Sequence, residues 1–178
     1  MNKRGYILRA LVIVLAFVFP FICIFKGEPI RQSLSQYWLT DLQPLFIVTN
    51  AATAYFLFSL DKWKIPAILL LLLTAFPVDT HNMTHNIFAY AFFIASIKPL
   101  YYVTQAQLQW YTIPYLGSLL MFPFGFFYVE SVCICVLCMF HGHLLYLKWQ
   151  LETTKKIVKQ TIEENNSCLL YTSDAADE

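Results

Sequence analysis

Between Arg9 and Lys26 the chain reads Ala10-Leu-Val-Ile-Val-Leu-Ala-Phe-Val-Phe-Pro-Phe-Ile-Cys-Ile-Phe25, without one charged or strongly polar side chain. A helix needs about 20 mainly apolar residues to cross a bilayer, at a rise of about 1.5 Å per residue. The run follows a basic stretch, Lys3, Arg4 and Arg9, so a cleavable signal peptide competes with a retained anchor. No small-residue cleavage site follows, only Phe25-Lys26-Gly27-Glu28-Pro29. A retained anchor is the better reading.

The rest of the chain agrees with its beginning. Of 178 residues, 58% are hydrophobic, 17% aromatic and 13% charged, with a mean hydropathy of +0.56. Soluble domains carry about 25% charged residues, so a soluble domain is disfavoured. Disordered chains are poor in aromatic residues, and nucleic-acid binders show a clustered basic face. Neither description fits. The expectation is an all-α, six-span transmembrane helical bundle occupying residues 1–148, with no nucleic-acid partner.

The expected spans are 10–25, 42–60, 65–78, 80–97, 110–127 and 131–147. The third is short, and Trp63 and Lys64 can extend it into the interface. Between Pro99 and Lys148 only Glu130 is charged, a length that fits two spans. With the N-terminus in the cytoplasm, Lys3, Arg4, Arg9, Lys62, Lys64, Lys98, Lys148, Lys155, Lys156 and Lys159 all fall inside. Only Lys26 and Arg31 fall outside. This bias places both termini in the cytoplasm, in the manner of a bacterial inner-membrane protein.

After Trp149 the composition turns polar. Leu147, Leu151, Val158 and Ile162 lie near one helical stripe, and Glu152 with Lys156 forms an i,i+4 pair. Residues 149–167 therefore read as a cytoplasmic amphipathic helix that lies on anionic lipid, or as a solvated helical stalk. The final stretch, Cys168-Leu-Leu-Tyr-Thr-Ser-Asp-Ala-Ala-Asp-Glu178, breaks with everything before it and reads as a translated transposase sequencing adapter. Setting aside Asp174, Asp177 and Glu178 leaves 12 basic against 8 acidic residues, a net charge of +4. Cys23, Cys133, Cys135 and Cys138 all sit in apolar runs and read as small buried hydrophobes.

Polar groups with chemical potential collect on the outer side of this topology. Ser33, Ser35, Tyr37, Thr40 and Asp41 precede the second span, Asp79, His81 and His85 open the fourth, and Glu130 precedes the sixth. His81 and His85 are spaced i,i+4, so on a helix both imidazoles share a face and could ligate one zinc ion. Asp41, Asp79 or Glu130 could then orient a ligand or take a proton, the arrangement of a membrane-embedded metal hydrolase acting on lipid. The competing reading is structural. Asp79 or Thr80 would cap the fourth helix, and interfacial histidines keep a wet tip above an apolar body. Nothing else points to a cofactor. Asn50, with Thr49 and Thr53, is the most polar patch at membrane depth and reads as a bridge between helices or a ligand contact. His141-Gly-His143 reads as close packing plus an interfacial histidine.

The pattern Ser33-x-Ser35-x-Tyr37-x-x-Thr40 leads into one span. His85-Asn-Ile-Phe-Ala89-Tyr-Ala-Phe92-Phe93 opens another, and Glu130 stands ahead of a span ending near Phe140-His-Gly-His-Leu. Together these resemble a group of uncharacterised bacterial integral-membrane proteins, and more distantly the Frag/DRAM/Sfk-type multi-span proteins. The likeness covers most of Ser33–Lys148. It departs after Thr40, where the group often carries Arg-Asp and this chain has Gln43-Pro44. The resemblance implies fold and location but brings no reaction. Three functions follow, in this order: a non-enzymatic membrane protein that binds lipid or a partner, a metal-dependent lipid hydrolase, and a small-solute carrier.

Overall fold

The computed structural model describes residues 3–26, 30–102, 106–118, 120, 123 and 125–174, without the side chains of 3, 106, 107 and 164–174. Every regular element among them is helical. The helices are α1 (Lys3–Phe25), α2 (Gln43–Phe58), α3 (Lys64–Ala75), α4 (Asn82–Tyr101), α5 (Ala106–Gln109), α6 (Thr112–Gly117) and α7 (Phe126–Asp174). Two short 3-10 helices, Leu34–Leu39 and Asp61–Trp63, precede α2 and α3. The all-α expectation holds. Among the described residues two helical stretches are long and apolar enough to cross a membrane, Arg4–Phe25 and Phe126–Glu163.

Local sequence explains the boundaries. Pro44 sits in the first turn of α2 and Pro66 in the first turn of α3, where a missing N–H costs nothing. Pro20 and Pro99 lie inside α1 and α4, and each removes one backbone hydrogen bond from its helix. Asp79 and Thr80 do not cap α4 as the sequence suggests. The N-cap is His81, with no side-chain cap bond, while the Asp79 carboxylate accepts from the Thr80 N–H at 2.9 Å and closes the preceding turn.

The stretch 110–127, expected as one span, is not one continuous helix over its described residues. It is α-helical over Thr112–Gly117 and has 3-10 geometry at Ser118, Leu120 and Pro123; Leu119, Met121, Phe122 and Phe124 lie outside the described residues. Gly125 ends the segment in the left-handed region, at φ +115°, which a side chain would resist. At the other extreme, α7 runs unbroken through the expected sixth span and tail helix to Asp174.

The chain divides into two compact units, Met1–His143 and Leu144–Glu178. In the first, α3 packs against α2 and α4, and α1 packs against α2. Two sets of contacts fix the helix ends. At one end Arg9 donates to the Ser59 hydroxyl at 3.2 Å, and Lys62 donates to the Tyr102 carbonyl at 2.8 Å. At the opposite end Lys26 pairs with Asp41 at 3.4 Å. The core between them buries Cys23, Phe46, Leu57, Ala67, Leu70, Phe92, Phe127, Cys133 and Phe140. Outward positions are apolar as well: Leu8, Leu11 and Val14 on α1, Val48 and Tyr55 on α2, Ile65 and Ile68 on α3, Ile87 and Ile94 on α4.

The second unit holds the C-terminal part of α7. Leu151, Val158 and Ile162 are exposed along it, and Lys159 pairs with Glu163 at 3.6 Å.

Candidate functional site

The segment ahead of α2 is tied down by two side chains from other elements. Glu130, in the second turn of α7, is 4% exposed and accepts a hydrogen bond from the Leu34 N–H at 2.6 Å. One turn earlier the Phe127 N–H, unpaired within its own helix, donates to the Gln32 carbonyl at 2.8 Å. Tyr37 is fully buried; its hydroxyl donates to the Cys23 carbonyl at 3.2 Å and its ring lies 6.1 Å from that of Phe127. Ser33 and Ser35 share a hydrogen bond at 2.9 Å. Thr40 donates to the Tyr37 carbonyl and accepts from the Leu42 N–H, closing the turn into α2. Of the residues singled out here, Ser33, Ser35, Tyr37 and Glu130 are thus drawn into one buried junction of α1, α7 and the Leu34–Leu39 helix. Asp41 stands outside it, exposed, with Lys26.

The two histidines have different environments. His81 is exposed, its Nδ1 sharing a hydrogen bond with the Thr80 hydroxyl at 2.8 Å and its ring lying against Phe76. His85 is fully buried, with Nδ1 2.7 Å from the Phe76 carbonyl, which fixes Nδ1 as the protonated nitrogen. The residue that should share a helical face with His85 is therefore the non-helical cap of α4. Among the described residues no group of three or more His, Cys, Asp or Glu side chains is placed to hold a metal ion. The cysteines Cys23, Cys133, Cys135 and Cys138 are free thiols, and Cys133 shares a 2.8 Å hydrogen bond with Ser118.

The third polar constellation is internal. Asn50 and Thr53 on α2 and His141 on α7 line a cavity of about 70 Å³, walled otherwise by apolar groups including Val12, Leu70, Phe92 and Leu137. Asn50 Nδ2 and Thr53 Oγ1 are buried there without a hydrogen-bond partner from the protein, as is Thr49 Oγ1 nearby. Such donors cost about 1–3 kcal/mol each unless water or a ligand meets them. A volume of this size admits about two water molecules or one small polar solute. His141 is clasped by aromatic rings, Trp63 at 4.4 Å, Phe140 at 5.0 Å and Phe56 at 5.3 Å.

The sequence reading set Asn50 with Thr49 and Thr53 as the polar patch at membrane depth. It missed that His141 joins Asn50 in the same cavity. A signal existed: Ile134, Leu137, Cys138 and His141 follow the i, i+3, i+4, i+7 spacing of one helical stripe, and all four line the cavity.

No family model matches the chain, and no curated protein or solved structure does.

Proposed function

We propose that the chain is a six-span integral membrane protein of the bacterial inner membrane, with both termini in the cytoplasm, and that it binds lipid or a partner without catalysing a reaction. One observation carries the membrane reading. Large apolar side chains are exposed all along α1 to α4, among them Leu11, Val48, Ile68 and Ile94, and the charged side chains of these helices stand toward their ends. Water would penalise such a surface, whereas hydrocarbon accepts it.

Binding is favoured over catalysis by what the candidate acids and imidazoles already do. Glu130 holds the Leu34 N–H, Asp79 closes its own turn, Asp41 pairs with Lys26, and His85 holds the Phe76 carbonyl. A general acid or base must instead reach a substrate proton. Cell fractionation tests the reading: the chain should sediment with membranes and resist extraction by carbonate, while recovery in the aqueous fraction would contradict it.

A second reading, a carrier for small polar solutes, is favoured by the cavity that holds Asn50 and Thr53. In that case Asn50→Leu and Thr53→Val would abolish solute uptake into liposomes containing the protein while leaving its folding intact. Uptake unchanged in both variants would remove this reading.

A further inference from the structure

A groove of about 330 Å³ runs between α1 and α2, with Arg9 and Ser59 at its head and Leu8, Val12, Ala52, Tyr55 and Phe56 as its walls. Its volume lies within the range of small-molecule sites. Arg9 is preorganised in it. The guanidinium carbon stands 5.7 Å from the centre of the Phe56 ring, and Nη2 donates to the Ser59 hydroxyl at 3.2 Å. Ser59 in turn donates to the Phe56 carbonyl at 2.6 Å, so the hydroxyl that receives Arg9 is itself held. Phe56 also packs edge-on against the His141 ring, 5.3 Å away. Both contacts of Arg9 are electrically neutral, and among the described residues no carboxylate forms an ion pair with it. A guanidinium has five N–H donors in a planar fork, and one is engaged here.

A half-buried cation with free donors, at the mouth of an apolar trough, has the charge pattern of a headgroup-and-chain ligand. We propose that this groove binds one anionic phospholipid, the phosphate on Arg9 and an acyl chain along Leu8, Val12, Ala52 and Tyr55. The assignment rests on the membrane reading above, which puts Arg9 at the cytoplasmic leaflet, where anionic lipid attracts basic groups. A zwitterionic headgroup brings its own ammonium to compete for the phosphate, whereas an anionic headgroup leaves the phosphate charge to be met by Arg9 through charge-assisted hydrogen bonds.

The test uses the full chain. It is first assayed for solubility without detergent, then titrated in neutral detergent with phosphatidylglycerol or phosphatidylcholine of equal chain length, and bound lipid is counted by native mass spectrometry. One phosphatidylglycerol should bind with a preference of about tenfold or more, the weight of a charged hydrogen-bonded contact. Arg9→Gln should lose that preference, Arg9→Lys should keep part of it, and Arg4→Gln, outside the groove, should keep it all. Ala52→Phe, which fills the trough and leaves the charge, should weaken both lipids. An equal affinity of the native chain for the two lipids overturns the proposal, as does a preference that survives Arg9→Gln. A preference lost instead on replacing Lys155, Lys156 and Lys159 by Gln assigns the lipid to the tail and overturns it too. A chain that is soluble without detergent overturns the membrane reading itself, before any lipid is added.

Discussion

The Glu130 carboxylate accepts the Leu34 N–H at 2.6 Å although 96 residues separate the two. A buried side chain of α7 thereby fixes the backbone that leads into α2. Glu130→Ala should leave the Leu34 N–H buried and unpaired, at a cost of about 1–3 kcal/mol. Glu130→Gln keeps an acceptor oxygen and should cost less. Thermal unfolding in detergent measures both, and faster tryptic cleavage at Arg31 reports the local loosening. Unchanged unfolding and cleavage in Glu130→Ala would show that the contact fixes nothing.

Tyr37 ties the same segment to α1. Tyr37→Phe keeps the ring beside Phe127 but loses the bond to the Cys23 carbonyl, so stability should fall by about 0.5–1.5 kcal/mol. The shift in Tm should be smaller than that of Glu130→Ala, because a hydrogen bond between neutral groups contributes less than one to a charged group.

The histidines should separate cleanly. His81→Ala removes an exposed ring and should change stability by no more than about 0.5 kcal/mol. His85→Ala deletes a fully buried ring and its bond to Phe76, and should cost about 2–5 kcal/mol in the manner of large-to-small core substitutions. Zinc measured by elemental analysis should be the same in both variants as in the native chain. A stoichiometric metal lost on double replacement would instead restore the hydrolase reading.

Asp61 gives a pH dependence of known sign. The Lys64 ammonium, 2.9 Å away, hydrogen-bonds the carboxyl and holds it below the usual carboxylate range. Its stabilising effect is therefore present above the ordinary carboxylate pKa and fades as pH falls through the lowered one. Because Asp61 is fully exposed, Asp61→Asn should lower Tm only slightly at neutral pH and leave it unchanged in acid. A larger effect in acid than at neutral pH would contradict the assignment.

Helical content and the candidate bundle core were legible because apolar runs between charged residues fix where chain can be buried. The run 10–25 lies within α1. Within 110–127 composition records hydrophobicity but not φ, so the change from α to 3-10 geometry at Ser118 and the positive φ of Gly125 were not legible. The His81–His85 spacing implied a shared helical face only if both residues were helical, and α4 begins one residue after His81. The Asn50–His141 cavity was illegible because it depends on which faces of α2 and α7 meet, a relation between residues 91 positions apart.

The proposed six-span topology is tested most directly by cysteine-accessibility mapping in intact cells. In a chain freed of its native cysteines, Lys62→Cys and Lys98→Cys should react with a membrane-impermeant maleimide only after the cytoplasmic face is opened. Asp41→Cys should react in intact cells. Labelling of Lys62→Cys or Lys98→Cys from outside intact cells would contradict the topology.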